Sequence, residues 1–545
     1  MCRTAAERTL AAELNAVRPD LTDAYAAGLP GARSAVLTRL WRGLVHEPLP
    51  WVAARTADGG GLTLRLADGR RLRGPFSDPW ATVTGTGPVT GAETMAGPVA
   101  GTGPVSAAEA STAAAPAAGA AVKELDLDGR RFGHPAELMA ALAVPGGARL
   151  AAELDHSVAS MALSRTAPRR PVALSGSAAE PWEWEQTETD GHPYHPCCRS
   201  RPGFSAAEQL AYAPEHRPVV SLWLAPVEGA AVSGAWPAEL RDGDAVLIPV
   251  HPWQAAHVLR GRARGPGPGR VLRPGPDGHP LLSLRTLDLG GGTHVKTALS
   301  TRLTSAVRDI SAYTVTHALA TSEFVERLAQ RFDGRLHIAR TLAAAGAGTA
   351  DLAALLRESP QVYADAAAGE RVVPVAALPG LLASHVPDER LCRAVGFARL
   401  ALGVGLELLD LGVALEAHGQ NLLVVLDAGC RPRRLVYRDL ADIRISPARL
   451  ARHGIAAPPV SGRLLNDDPD TLRRKLLGSL VTGALGPLAG DAPTLGTILD
   501  AVAPDLPPTP DAHALRTEPL PAKALTLMRL EGRGGDRWTL LPRPS

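Results

Sequence analysis

Between Glu416 and Ser446 the sequence EAHGQNLLVVLDAGCRPRRLVYRDLADIRIS places polar groups on either side of two apolar runs. The runs 422–426 and 435–437 flank a turn-rich stretch, 427–433, which is the pattern of a β-hairpin. Glu416, His418, Gln420 and Asn421 enter the first strand, and Arg438, Asp439 and Asp442 leave the second, so a hairpin gathers both sets at one mouth. An Asn carbonyl and an Asp carboxylate can share a Mg²⁺ while cationic groups meet phosphates, an inventory that suits nucleotide-dependent phosphoryl transfer. The same residues would also satisfy the polar end of a buried strand pair.

A second chemical centre is LLSLRTLDLGGGTHVKTALSTRLTSAVRDIS, residues 281–311. Its segments 281–287 and 294–299 read as strands joined across the glycines at 290–292, with Lys296 projecting from the second. Thr301, Thr304, Ser305 and Arg308 then recur at three- and four-residue spacing, which predicts one face of a helix beginning near Ser300. A strand lysine opposite a wall of hydroxyls and a guanidinium can bind a triphosphate and a carboxylate side by side. A third stretch, GHPYHPCCRSRPGF at 191–204, holds His192 and His195, each before a proline that biases it toward an extended loop. Arg199 and Arg201 follow and suit phosphate or carboxylate capture. A zinc site of His192, His195, Cys197 and Cys198 is disfavoured because the four crowd into seven residues. The turn IPVHPWQ at 248–254 reads as a packed corner, with Trp253 and Gln254 in support.

The elements that must position these groups span 545 residues, enough for about three domains. A 45% hydrophobic fraction supplies a core, and 57 basic against 55 acidic side chains give no field suited to nucleic acid or an anionic membrane. Five cysteines without C-x-x-C spacing, a charged N-terminus and no uninterrupted apolar span point to the cytoplasm. Residues 5–45 read as two helices interrupted at Pro19 and at 29–31, and 51–74 as strands and hairpins. Residues 84–122 are built from Gly, Ala, Pro, Thr and Ser and cannot bury a core, so they read as a flexible insertion. Helix is predicted for 135–163 with a break at 145–147, for 322–332, 350–357 and 388–411, and around 470–485 and 494–502. The Gly/Pro-rich 261–278 reads as a loop.

Taken in order, GHPYHPCCRSRPGF, IPVHPWQ, SLRTL with HVKTALSTRLTSAVRDIS, and EAHGQN with YRDL resemble the IucA/IucC family, the NRPS-independent siderophore synthetases, over roughly 185–446. The resemblance implies an α+β fold shaped as a cupped hand. Residues 1–185 would form the thumb, 186–335 fingers with an antiparallel sheet, and 336–545 a mostly helical palm carrying the hairpin. It implies an ATP-dependent ligase that adenylates a carboxylate, on citrate or a dicarboxylic acid derivative, releases pyrophosphate, and passes the acyl group to an amine or hydroxyl with loss of AMP. By the same resemblance His192, Ser283, Arg285, Thr286, Lys296, Thr304, Arg308, Gln420, Asn421 and Asp439 contact ATP. Arg308, His418 and Thr304 hold the substrate carboxylate; Lys296, Arg308 and His418 are catalytic; Asn421 and Asp439 hold Mg²⁺. The base that deprotonates the amine is left open between His418 and a carboxylate, and a homodimer is left open as the assembly. A small-molecule kinase is the competing class, since HGQN, a hairpin and a following Asp also suit transfer of a γ-phosphate. A non-catalytic ferric-siderophore or metabolite binder is another.

Overall fold

A computed structural model of the chain describes residues 2–82, 121–167, 180, 182–260, 271–304, 306–532 and 534–544. The first two helices are Ala5–Val17 and Thr22–His46. Pro30 sits inside the second helix and does not break it: complete burial of Leu29, Val36, Leu37 and Leu40 outweighs one lost backbone bond. A five-stranded antiparallel meander, Val52–Asp58, Gly61–Leu66, Arg71–Gly74, Leu125–Leu127 and Arg130–Phe132, follows. With helices Pro135–Leu142 and Gly147–Ser164 it closes one core. The far end of the chain returns to this core through Ala524, Leu527 and Leu530. Buried Glu47 fastens it, accepting from Thr526 N at 3.0 Å and Leu527 N at 2.7 Å.

The insertion read at 84–122 lies outside the described residues except for its last two. Val122 is buried; its N–H donates to Thr38 Oγ1 and its carbonyl accepts from Ser34 Oγ, both at 2.8 Å. Replacing 84–120 by a short Gly/Ser linker is therefore expected to leave folding and turnover nearly unchanged. A shortened chain recovered only as aggregate would show that the segment packs.

The second layer is a nine-stranded antiparallel sheet in the order Ala231–Gly234, Thr341–Gly346, Ala353–Glu358, Thr293–Thr297, Thr286–Asp288, Arg273–Pro280, Val220–Val227, Ala245–Val250 and Arg241–Asp242. This sheet and a separate two-stranded one correct the sequence reading in three places. Residues 353–358, read within a helix at 350–357, form a central strand, because pairing on both sides overrides the helix propensity of Ala and Leu. Part of the loop read at 261–278 is strand Arg273–Pro280; 261–270 lie outside the described residues. The helix read from Ser300 is a hairpin, Leu299–Leu303 with Ala306–Arg308, in which Leu299 pairs with Arg308; Ser305 is outside the described residues. Two strands of the nine-stranded sheet lie past 335, where the fingers were expected to end.

A four-stranded sheet forms the third layer: Leu336–Ile338, Pro432–Tyr437, Leu422–Leu426 and Arg371–Pro374. Leu422 pairs with Tyr437, so the hairpin read at 422–437 is present, and helix Pro387–Leu411 packs on it. No helix among the described residues is long and apolar enough to cross a membrane.

Burial holds several imidazoles neutral, with His46, His156 and His216 pushed down to about 4 and His251 to about 3. Their unfolded values lie near 6.5, so between there and the folded values the unfolded chain binds more protons. Their contribution is whole above about 6.5 and is lost as pH falls. Glu47, raised by burial to about 7, works the other way. A Tm lower at pH 5 than at pH 7.5 by roughly 5 °C or more is expected in a thermal melt.

Candidate active site

A cleft of about 700 Å³ opens between the nine-stranded sheet, the 422–437 hairpin and the loop around His192. Alternation along the strands decides what faces it. Val295, Leu287 and Leu356 point to one side of the sheet and join its core, while His294, Lys296, Leu355 and Arg357 share the opposite face. From that face Lys296 Nζ reaches Asp439 Oδ2 at 2.6 Å, and Arg357 Nη2 reaches Oδ1 at 2.9 Å. Burial pushes the Lys296 ammonium well below its usual range, with Arg357 and Arg285 pushing the same way and Asp439 opposing. Burial would raise the Asp439 carboxyl, but Arg357 and Lys296 hold it well below the usual carboxylate range. Arg285, pulled down to about 9 by burial and then by Arg308, donates to the Arg308 carbonyl. Arg308 Nη2 donates to Thr304 Oγ1 at 2.7 Å. Four cationic side chains thus surround one carboxylate, a surplus suited to a polyanion.

Backbone strain concentrates here. Eight non-glycine residues have positive φ among the described residues, and Leu284, Thr304, Asp439 and Arg217 of these line the cleft. Asp439 at φ 71° and Thr304 at φ 51° persist because their side chains are tied to Lys296 and Arg308.

Several histidines share one local arrangement. His134, His192, His195 and His251 each precede proline, and each ring Nδ1 accepts the N–H two residues on, at 3.2, 3.2, 2.9 and 3.2 Å. His418 does the same toward Gln420 N at 3.3 Å, across Gly419. His192 and His418 line the cleft; burial lowers both, His192 to about 3. Each is therefore a neutral ring whose Nε2 carries the hydrogen. His418 in this tautomer is a donor, with no free lone pair to take a proton.

Of the predicted site residues, His192, Ser283, Arg285, Lys296, Thr304, Arg308, His418, Gln420 and Asp439 line the one cleft. Thr286 and Asn421 do not. Thr286 pairs with Lys296 inside the sheet, and Asn421 Nδ2 donates to the Glu416 carbonyl at 3.3 Å. Sequence reading missed Arg357, placed in a supposed helix, and the lysines beneath His418. Lys523 Nζ lies 2.9 Å and Lys475 Nζ 3.4 Å from Glu416 Oε1. These lysines overcome burial and bring the Glu416 carboxyl down to about 2. Arg438, flagged at the hairpin mouth, forks onto buried Glu185, with Nη2 to Oε2 at 2.8 Å, and holds the Gln420 carbonyl at 2.9 Å. Arg438→Ala would strand that carboxylate and is expected to cost about 3–5 kcal/mol in urea unfolding.

The profile of the IucA / IucC family matches residues 181–380. Over that span the chain is similar to the IucA/IucC family. A profile described as a ferric iron reductase FhuF-like transporter matches residues 396–491. His192, Ser283, Arg285, Lys296, Thr304 and Arg308 fall in the first span, and His418, Gln420 and Asp439 in the second. The rhizobactin siderophore biosynthesis protein RhbC of Rhizobium meliloti is 31% identical over 166 residues, 25% of this chain and 28% of that protein. A 2-[(L-alanin-3-ylcarbamoyl)methyl]-3-(2-aminoethylcarbamoyl)-2-hydroxypropanoate synthase of Staphylococcus aureus is 28% identical over 182 residues, 27% of this chain and 30% of that protein. The aligned part thus spans less than a third of either relative's length. Among solved structures, petrobactin biosynthesis protein AsbB of Bacillus anthracis matches with a TM-score of 0.72 at 17% identity, over 99% of this chain and 98% of that one. ATP-bound aerobactin synthetase IucA of Klebsiella pneumoniae matches with 0.67 at 17% identity, over 94% and 99%. At these identities the likeness establishes the fold, the cupped-hand α+β type of the siderophore synthetases.

Proposed function

We propose that the chain is an ATP-dependent ligase of siderophore biosynthesis that adenylates a carboxylate and condenses it with an amine or hydroxyl. The observation that carries this is the cationic wall of Lys296, Arg285 and Arg308, pinned by Asp439 and facing the Nε2–H donors of His192 and His418 across one cleft. A carboxylate attacking an α-phosphate brings two anions together and expels pyrophosphate, so fixed cations in a water-poor cleft favour the charged transition state. Lys296, Arg285 and Arg308 would take phosphate oxygens, while His418 and Arg308 dock the carboxylate. The amine nitrogen then attacks the acyl carbon, the bond to AMP breaks, and one proton leaves the nitrogen. His418 as a donor fits the docking role and leaves proton removal to a carboxylate or to water.

For Mg²⁺, Asp439 retains acceptor capacity beyond the two cations it holds, whereas the Asn421 amide lies outside the cleft lining. Asp439 would therefore hold the ion with phosphate oxygens and water, and the ion would neutralise phosphate charge. The thumb, fingers and palm division, a cytoplasmic location and small-molecule partners belong to the same proposal.

Product analysis tests it. With ATP, Mg²⁺ and a panel of citrate, succinyl hydroxamates and 2-oxoglutarate, acid-dependent AMP and pyrophosphate are expected. Acid-dependent ADP without AMP would overturn the ligase in favour of the kinase.

A further inference from the structure

Apart from the cleft there is a small recess of about 20 Å³, and among the described residues none lines both. Arg357 lines the recess. It is 5% exposed, its Nη2 is spent on Asp439 Oδ1 at 2.9 Å, and its buried Nε has no hydrogen-bond partner. Thr341 stands directly opposite Arg357 in the neighbouring strand and lines the same recess, so its hydroxyl supplies a second donor. Helix Ala312–Ala329 packs on this side of the sheet and contributes His317 and Thr321, four residues apart on one face. The Thr321 hydroxyl is spent on the His317 carbonyl at 2.8 Å, which leaves a ring N–H of His317 as a third donor. Leu440 and Ala441, the two residues after Asp439, complete the lining, which among the described residues contains no carboxylate.

We propose that this recess binds one halide ion, chloride under ordinary conditions, which accepts the Nε–H of Arg357 from behind and seats the guanidinium against Asp439. The inference is independent of the ligase reading. A water molecule needs roughly 10–15 Å³ of such space, so the recess admits a guest of about one atom and excludes phosphate, sulfate and carboxylates. A buried cation would need an acid beside it, and the lining offers donors instead. Water fits by size, and charge decides against it. Three arginines, Arg285, Arg308 and Arg357, act on one another around a single carboxylate, Asp439, and a positive field of that kind holds an anion more strongly than a neutral molecule. A halide in the recess takes no part in any covalent step. It satisfies the donor that Asp439 leaves over and keeps Arg357 from turning away from the strand that carries it.

The test is chloride NMR line broadening as chloride is titrated into the full chain, with gluconate holding the ionic strength. Each titration is run alone and with inorganic pyrophosphate, a polyanion too large for the recess that competes for the cations of the cleft. Broadening that persists with pyrophosphate is expected. Thr341→Val should weaken the apparent Kd for chloride at least fivefold, and His317→Leu at least threefold. In crystals soaked with bromide, an anomalous peak is expected beside Arg357 Nε. Broadening abolished by pyrophosphate would put the ion in the cleft and overturn the proposal. Absence of broadening would mean that the recess holds water only, with the same consequence. If Thr341→Val does not fold, His317→Leu decides, and an unchanged Kd in that variant overturns the proposal, as does a bromide soak with no peak at Arg357. None of these readouts needs turnover, so a chain that forms no AMP with any acid would overturn the ligase reading and leave this result standing.

Discussion

Arg308→Ala should leave no more than about a thousandth of the acid-dependent hydroxamate formed when hydroxylamine replaces the natural nucleophile, a loss of about 4 kcal/mol of transition-state stabilisation. The guanidinium is locked before any ligand arrives: Nη2 donates to Thr304 Oγ1 at 2.7 Å, its own carbonyl receives Arg285, and its strand pairs with Leu299. A positioned cation of this kind acts when negative charge builds between carboxylate and α-phosphate, so kcat should fall with kcat/KM. Arg308→Lys should recover only part of the loss, because an ammonium cannot fork between two oxygens. Thr304→Val, which frees the guanidinium but keeps its charge, should cost roughly tenfold. Hydroxamate at the unaltered rate in Arg308→Ala would remove Arg308 from the reaction.

The second large effect is expected for Asp439→Asn. Its carboxylate is what opposes the burial that drives the Lys296 ammonium well below its usual range. Without that charge Lys296 and Arg357 face each other unpaired, and Lys296 relieves the conflict by giving up its proton. Because the proton then leaves at lower pH, the alkaline limb of the rate profile should move toward acid, with kcat/KM at pH 7.5 falling about a thousandfold. A Mg²⁺ titration separates two roles. If Asp439 only poises Lys296, the Mg²⁺ requirement stays fixed; if it also holds the ion, that requirement rises at least tenfold. Asn421→Ala, whose amide is turned to the Glu416 carbonyl, should change the Mg²⁺ requirement little. An unmoved alkaline limb in Asp439→Asn would show that Lys296 does not depend on it.

What the sequence determined was set by neighbours along the chain. Two apolar runs flanking a short turn with Asp427 and Gly429 specify the 422–437 hairpin, and at four of the His-Pro steps the ring Nδ1 takes the next free N–H. Lys296 on a strand was legible for the same reason. The helix read at 300–308 was not, because three- and four-residue spacing also arises when a hairpin folds at Thr304 and returns Arg308 beside Leu299. The strand Ala353–Glu358 was hidden in Ala and Leu, whose helix preference yields once strands pair on both sides. Only the tertiary structure decided the charge pairs. Lys296 and Asp439 lie 143 residues apart, Arg357 and Asp439 82, Arg438 and Glu185 253. No local preference relates such positions. They meet because the polar face of the nine-stranded sheet closes over the 422–437 hairpin, and burial there makes each charge depend on the partner that it finds.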